Sequence, residues 1–314
     1  MASNQHYIEK ADLSISNLTS EGGLLVQEQV KEFMEILIEE SVILGLATTI
    51  SMAGPTYEIS KMGFTSRVLR RAQENTALPE ADRSKPELGK VLLTTHEFIA
   101  EARIPYGVVE DNVANGSFQD YAMRLLAKAV ARDMEEVVIS GDTTSSDVYL
   151  ATLDGILKQV SSLTIDAGGL RLSKSQMKQS VQKLPSRYLR ATKNLSFLTS
   201  KNATIDYIDS LANRQTPLGD SKVVDAAAGE YMGYPVVPIP MMPENLGGGT
   251  NTTDMLFCDP KNINVGIQRE VRIETARDIT ARQFIIVATV RFDVKWQHEP
   301  AVVKTTNILA TAGA

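Results

Sequence analysis

The run Phe284-Ile-Ile-Val-Ala-Thr-Val-Arg-Phe-Asp-Val-Lys-Trp296 constrains the fold of this 314-residue chain more than any other segment. It has two characters. Phe284 to Val290 is apolar apart from Thr289, as expected of a strand buried on both faces. From Val290 onward the pattern alternates, with Val290, Phe292, Val294 and Trp296 on one face and Arg291, Asp293 and Lys295 on the other. A strand of about thirteen residues is roughly twice the usual length, so the fold must offer it a long surface.

The flanking segments form an ordered set. Gly233-Tyr-Pro-Val-Val-Pro-Ile-Pro comes first, then Met255-Leu-Phe-Cys-Asp-Pro, Val271-Arg-Ile-Glu and Arg277-Asp, and Pro300-Ala-Val-Val303 closes it. This order resembles the C-terminal region of tailed-bacteriophage major capsid proteins of the Hong Kong 97 type. Those proteins carry a Gly-x-Pro-Val-Val turn, a strand ending in Asp, an Arg-Asp step, a long strand and a terminal Pro-x-x-Val/Ile.

The rest of the chain is consistent with that order. Residues 1 to 23 hold few apolar side chains, end in Gly22-Gly23, and read as an extended arm that borrows its order from elsewhere. An amphipathic helix is expected over Leu24–Leu44. Val26, Val30, Phe33, Leu37 and Ile38 lie on one face and Glu28, Lys31, Glu32, Glu35 and Glu39 on the other, with Gly45 as terminator. Thr56–Ser60 and Phe98–Ile104 have strand character and bracket a charged stretch, Arg67 to Lys90. We read a long two-stranded flap that rests on a neighbour through mixed-sign polar contacts; the alternative is a solvated loop. A second long helix is expected from Phe118 to Ile139, with Ser117 as N-cap and an end at Ser140-Gly141-Asp142. Further helices at Ser175–Leu184 and Asn202–Leu211 flank a short strand, Leu195–Ser200. In the capsid family a spine helix ends in a similar Gly-Asp turn and is followed by a Gly-Ile, here Gly155-Ile156.

Composition excludes several classes. With 43% hydrophobic residues the chain can bury a large core, and more than one domain is expected. Lys+Arg 32 against Asp+Glu 38 is a poor balance for gripping nucleic acid, although such a chain can still enclose it. The single cysteine, Cys258, rules out an internal disulfide framework and follows apolar neighbours, so burial is expected. The N-terminal residues lack the pattern of a signal peptide, and nothing approaches a spanning helix, so a chain made in the cytosol is expected.

No catalytic, cofactor-binding or metal-binding residue is assigned. Gly141-Asp-Thr-Thr-Ser-Ser-Asp147 is oxygen-rich, but it lacks the glycine and glutamate of an EF-hand loop and reads as a polar turn. Gly247-Gly-Gly-Thr250 lacks the Lys-Ser/Thr of a phosphate loop. His6, His96 and His298 are scattered, and no local signature pairs one of them with Cys258 as a nucleophile.

The resemblance therefore implies an α+β, Hong Kong 97-like capsid fold. It would comprise an N-terminal arm (1–24), a peripheral domain (25–53, 106–145 and 263–299) with the spine helix, an extended β-hairpin flap (54–105) and an axial domain (146–262 and 300–314). It implies a major capsid protein that self-assembles, as hexamers and pentamers, into an icosahedral shell around double-stranded DNA, and no enzyme activity. Scaffolding, portal and decoration proteins are the implied partners, with no membrane and no cofactor. Two rivals are an encapsulin-type compartment around a cargo enzyme and an α+β cytosolic enzyme. Some members of the family link subunits through a flap Lys and a strand Asn, helped by a buried Glu. Aligned on Asp278 and Pro300, those last two positions fall at Gln283 and Val290. Val290 cannot handle a proton, so shells held without covalent links are expected, even with Lys61, Lys85 and Lys90 available on the flap.

Overall fold

The computed structural model describes residues 41–310 except 65–67, 70, 72–78, 81–82, 84–85, 107–117, 190–193, 213–228 and 248–250. The expected arm, nearly all of the expected Leu24–Leu44 helix, and Ser117 lie outside the described residues. In chain order, α1 (Val42–Leu46) and β1 (Thr48–Met52) precede β2 (Thr56–Gly63), β3 (Glu87–Thr94), β4 (His96–Pro105) and the long helix α2 (Phe118–Ser140). Next come α3 (Ile156–Gln159), β5 (Thr164–Asp166), α4 (Lys174–Lys183), β6 (Ser196–Ser200) and α5 (Lys201–Ala212). The chain continues with β7 (Glu230–Tyr231), β8 (Tyr234–Ile239), β9 (Thr252–Cys258), β10 (Ile263–Asp278), β11 (Gln283–Trp296) and β12 (Val303–Leu309).

Among the described residues these strands form a four-stranded sheet β1-β10-β11-β4, a six-stranded sheet β5-β12-β9-β6-β8-β7 and a ribbon β2-β3. The long strand β11 lies inside the first sheet, antiparallel to both β10 and β4. Its Ile286, Ala288, Val290, Phe292, Val294 and Trp296 are buried in one core with Ala127, Val130, Ala131, Met134, Val137 and Val138 of α2. Phe98 of β4 stacks on Phe292 with ring centroids 4.6 Å apart, and Trp296 Nε1 donates to the Ile156 carbonyl at 3.0 Å. The indole N–H is thereby satisfied where water cannot reach it.

The other face of β11 departs from the sequence expectation. Ile285, Val287 and Thr289 are only half-buried, so the apolar run is not enclosed on both sides within one chain. In register beside them stand Arg103, Glu101 and Ile99 of β4. Long charged side chains next to Ile285 and Val287 give partial cover through their aliphatic stems rather than a dry layer.

Two glycines close the joint after α2. A Cβ on Gly141 would lie 2.5 Å from the Leu153 carbonyl, and one on Gly155 would lie 2.6 Å from the Ile139 carbonyl. The Gly155 N–H donates to the Gly141 carbonyl at 2.8 Å, so the two backbones touch with no room for a side chain. Less than two turns before that joint, Glu135 of α2 accepts from the Ile43 N–H at 3.2 Å, and Ser41 caps α1. Gly45 falls inside α1, and Ala47 is the C-cap, so Gly45 is not the terminator the sequence suggested. The Arg277-Asp278 step also has a mechanical reading. Arg277 lies over the Phe284 ring at 4.9 Å, and Asp278 accepts from the Thr280 and Ala281 N–H groups, capping the β10–β11 turn.

The six-stranded sheet has its own core, with Phe197 stacked on Phe257 at 4.5 Å and Tyr207, Tyr234, Met255 and Val303 packed around them. A capping box at Ser173 and Gln176 starts α4, and the Met232-Gly233 pair, at φ 53° and 81°, makes the tight turn between β7 and β8.

The flap pairs differently from the expectation. Thr56–Gly63 runs against Glu87–Thr94, while the segment Phe98–Ile104 joins the core sheet beside β11. The reason is the alternation noted in that segment: Phe98, Ala100, Ala102 and Ile104 are half-buried toward the core, and their neighbours are exposed. An apolar stripe of that kind pairs best where a second layer can cover it.

These faces predict opposite outcomes for two substitutions in one strand. Phe292→Asp places a charge at a position with 0% exposure and should abolish folding, seen as loss of the cooperative urea transition. Val287→Asp, on the half-buried face, should leave a folded subunit destabilised by only about 1–2 kcal/mol.

Candidate assembly interface

The β2–β3 register sorts the flap into two faces. Tyr57, Ile59 and Lys61 share one face with Leu93, Val91 and Gly89, and Leu93 at its root is fully buried. Glu58, Ser60 and Met62 share the other with Leu92, Lys90 and Leu88. On this second face Met62 and Leu88 are each 73% exposed, and the Lys90–Glu58 pair at 2.6 Å lies between apolar neighbours. Past the ribbon, Phe64, Val68 and Leu69 are exposed as well, Leu69 at 85%. The described ribbon therefore offers an apolar surface as well; of the charged side chains expected to make mixed-sign contacts, Arg71, Glu80 and Arg83 are exposed, and Arg67, Arg70, Asp82 and Lys85 lie outside the described residues. Met62 and Leu88 are far apart in the chain, and only the cross-strand register brings them together. Large apolar side chains paired on one exposed face, as Met62 and Leu88 are, mark a surface suited to being covered.

The side chains weighed in the sequence for chemistry are occupied otherwise. Cys258 is fully buried, and burial pushes its thiol far above the ordinary range, so no thiolate is available. The Tyr188 hydroxyl shares a 2.6 Å hydrogen bond with His298 Nε2, and the backbone of His298 is tied to Asn262. Burial, then Lys61 and Arg187, hold this imidazole below its usual pKa. His96 starts β4, opposite Phe292, and His6 lies outside the described residues. In the 141–147 turn the Asp142 carboxylate takes the Lys158 ammonium and the Thr144 hydroxyl and N–H, which hold it down at about 2. A lysine fills the place a cation would need. Among the described residues, no group of three or more His, Cys, Asp and Glu side chains converges on a common point. Of the 247–250 loop, only Gly247 is described.

Gln283 and Val290 lie on opposite faces of β11: Gln283 is half-buried opposite Pro105, and Val290 is buried in the α2 core. Seven residues of strand separate them by about 24 Å, so within one chain they do not form a site. Lys90 is engaged by Glu58, while partial burial lowers the pKa of Lys61.

Buried carboxylates are what the sequence reading missed. Glu135, Asp254 and Asp293 are almost fully buried, and each is raised above the ordinary carboxylate range by burial. None has a sequence signature, because burial of a polar residue in a helix or a strand is decided by the elements packed on it. Asp254 reaches about 6, with Lys304 and the Asn307 N–H at the adjoining β-bulge offsetting part of the cost.

Two sheets with separate cores, the long helix packed on β11 and the β2–β3 ribbon define the Hong Kong 97-like capsid fold. The sequence pattern of the phage capsid family matches residues 21–307, and the chain belongs to that family. It is a phage capsid protein, a subunit of the shell. A Bacillus subtilis (strain 168) protein named "Putative prophage capsid protein YqbE" is 38% identical over 309 residues, covering 97% of this chain and 99% of its own length. Among solved structures, a chain of the satellite phage P4 procapsid including size determination (Sid) protein superposes with a TM-score of 0.67 at 12% identity over 98% of each chain. The holo-SrpI encapsulin complex from Synechococcus elongatus PCC 7942 gives 0.55 at 10% identity, covering 99% of this chain and 98% of that one. At these identities both establish the fold alone.

Asp254 makes the subunit's stability respond to pH. Its folded-state pKa of about 6 lies above the unfolded value near 3.9, so the folded state binds this proton more tightly. The carboxylate therefore costs stability in full above pH 6; the cost shrinks as pH falls from about 6 to 4 and is gone below. Asp254→Asn should stabilise the unassembled subunit by about 1–3 kcal/mol at pH 7.5 and by nothing measurable at about pH 4. Urea unfolding at the two pH values checks both the gain and its disappearance.

Proposed function

We propose that this chain is the major head protein of a tailed phage or prophage, forming by self-assembly an icosahedral shell that encloses double-stranded DNA. The observation that carries the reading is the apolar flap projecting from a subunit whose two cores are already closed. Such a surface suits burial against a second copy, and shells gain stability by burying extensions of this kind in neighbours. Hexamers and pentamers are the closed rings from which an icosahedron is made. In this reading the peripheral domain is the α2 core with β1, β10, β11 and β4, the axial domain is the six-stranded sheet with α4 and α5, and the arm reaches across neighbours. β4 thereby moves from the flap region to the peripheral domain.

The net charge of −6 suits a container that holds DNA without sequence-specific grip. Scaffolding and portal proteins complete the assembly, decoration proteins can reinforce it, and the shell forms in the host cytoplasm before residing in the virion. The role is structural, that of a shell subunit.

Purified protein should form capsomers or megadalton shells in negative-stain micrographs; a monodisperse monomer across salt and pH conditions would contradict this. Replacing Met62 and Leu88 together by Lys should leave the urea transition intact and abolish shell formation, because both side chains lie on the exposed face. Mature particles boiled in detergent and reductant should run as one band near 34 kDa rather than as a ladder of multiples.

A further inference from the structure

One residue, Thr95, separates β3 from β4, and there the chain passes from the flap into the core sheet. Several contacts converge on that point. Leu93 is fully buried above Gly266 of β10: a Cβ on Gly266 would lie 3.0 Å from Leu93 Cδ1 and 2.5 Å from Met52 Sδ. The missing side chain is the seat into which Leu93 and Met52 drop. Directly across the ladder from Gly266 stands Asp293, 2% exposed. Its Oδ2 accepts from the Thr94 N–H at 2.8 Å and its Oδ1 from the Val294 N–H at 2.8 Å. Thr95 donates its N–H to the Pro55 carbonyl at 3.0 Å and its hydroxyl to Gln268 Oε1 at 2.8 Å. Both ends of the ribbon, before β2 and after β3, are thus fastened to β10 and β11.

We propose that Asp293, Gln268 and the Gly266 seat form a latch that grips Leu93, Thr94 and Thr95 and sets the direction of the flap in the unassembled subunit. A buried carboxylate is an expensive group to place there, since burial opposes its ionised form. It is compensated by two backbone N–H donors, with Lys295 of β11 and His96 of β4 adding favourable field. Releasing the flap root takes the Thr94 donor from that carboxylate and leaves the Leu93 seat empty, so the root holds one orientation. A ribbon aimed in advance loses less freedom when it meets a neighbour than one that swings about a single residue. The consequence for assembly rests on the reading that the flap contacts a neighbouring subunit; the latch itself is a property of the lone subunit.

The test is a spin-label distance in the unassembled protein, with labels at Lys90→Cys on the flap and Arg132→Cys on α2; buried Cys258 stays unlabelled. The unmutated latch should give a narrow distance distribution. Asp293→Ala should broaden it about twofold or more while the core keeps its cooperative transition. Leu93→Ala, which alters only the flap side, should do the same and decides the matter if Asp293→Ala fails to fold. A distribution as narrow as the parent's in a folded variant overturns the latch. A broadened distribution with undiminished shell yield overturns its role in assembly. Failure of the parent protein to form shells tells against the capsid reading and leaves the distance result standing.

Discussion

The contact between one face of β11 and one face of α2 is the interaction on which the rest of the subunit depends. It gathers Val130, Met134 and Val137 from the helix and Ala288, Val290, Phe292 and Val294 from the strand into one core. At roughly 1.5–3 kcal/mol per fully buried large apolar side chain, this layer is the main source of the subunit's own stability. The other elements are positioned by it. β10 and β4 hold β11 from both sides, the Gly141–Gly155 joint returns the chain from α2 toward the second sheet, and Glu135 fastens the entering chain to the back of the helix.

Against that closed core, the flap and the outer face of β11 are only partly satisfied. Ile285 and Val287 keep part of their surface open, and Met62 and Leu88 keep most of theirs. Leaving them so costs a lone subunit little beyond solubility, because exposed apolar groups forgo a gain rather than incur a penalty. In the proposed shell the gain is realised when another chain covers them. On that proposal, division of the molecule into a closed core and a ribbon that meets a partner would couple folding to assembly.

Much of this was legible in the sequence, for identifiable reasons. The helical face of Phe118–Ile139 and the alternation along Val290–Trp296 carry their period in the residues themselves, and both elements were found within a residue or two. The turn residues Gly141, Gly155 and Gly233 stood out because close approach or positive φ allows little else there. What could not be read depends on pairing between distant segments. Thr56–Gly63 and Phe98–Ile104 looked like partners because both alternate, yet β3 takes the ribbon position and β4 completes the core sheet. Burial of Asp254 and Asp293 was hidden for the same reason, since each looks like an outward polar residue until another strand or the flap root lies over it.

Assembly should cover the flap while leaving the core as it is. Hydrogen exchange, compared between unassembled subunits and assembled particles of the same preparation, measures that directly. Thr56–Gly63 and Glu87–Leu92 should gain large protection on assembly, with α2 and Phe292–Trp296 already protected in the lone subunit and little changed. Equal flap exchange in the two states, or a core that becomes protected only in the particle, would contradict it.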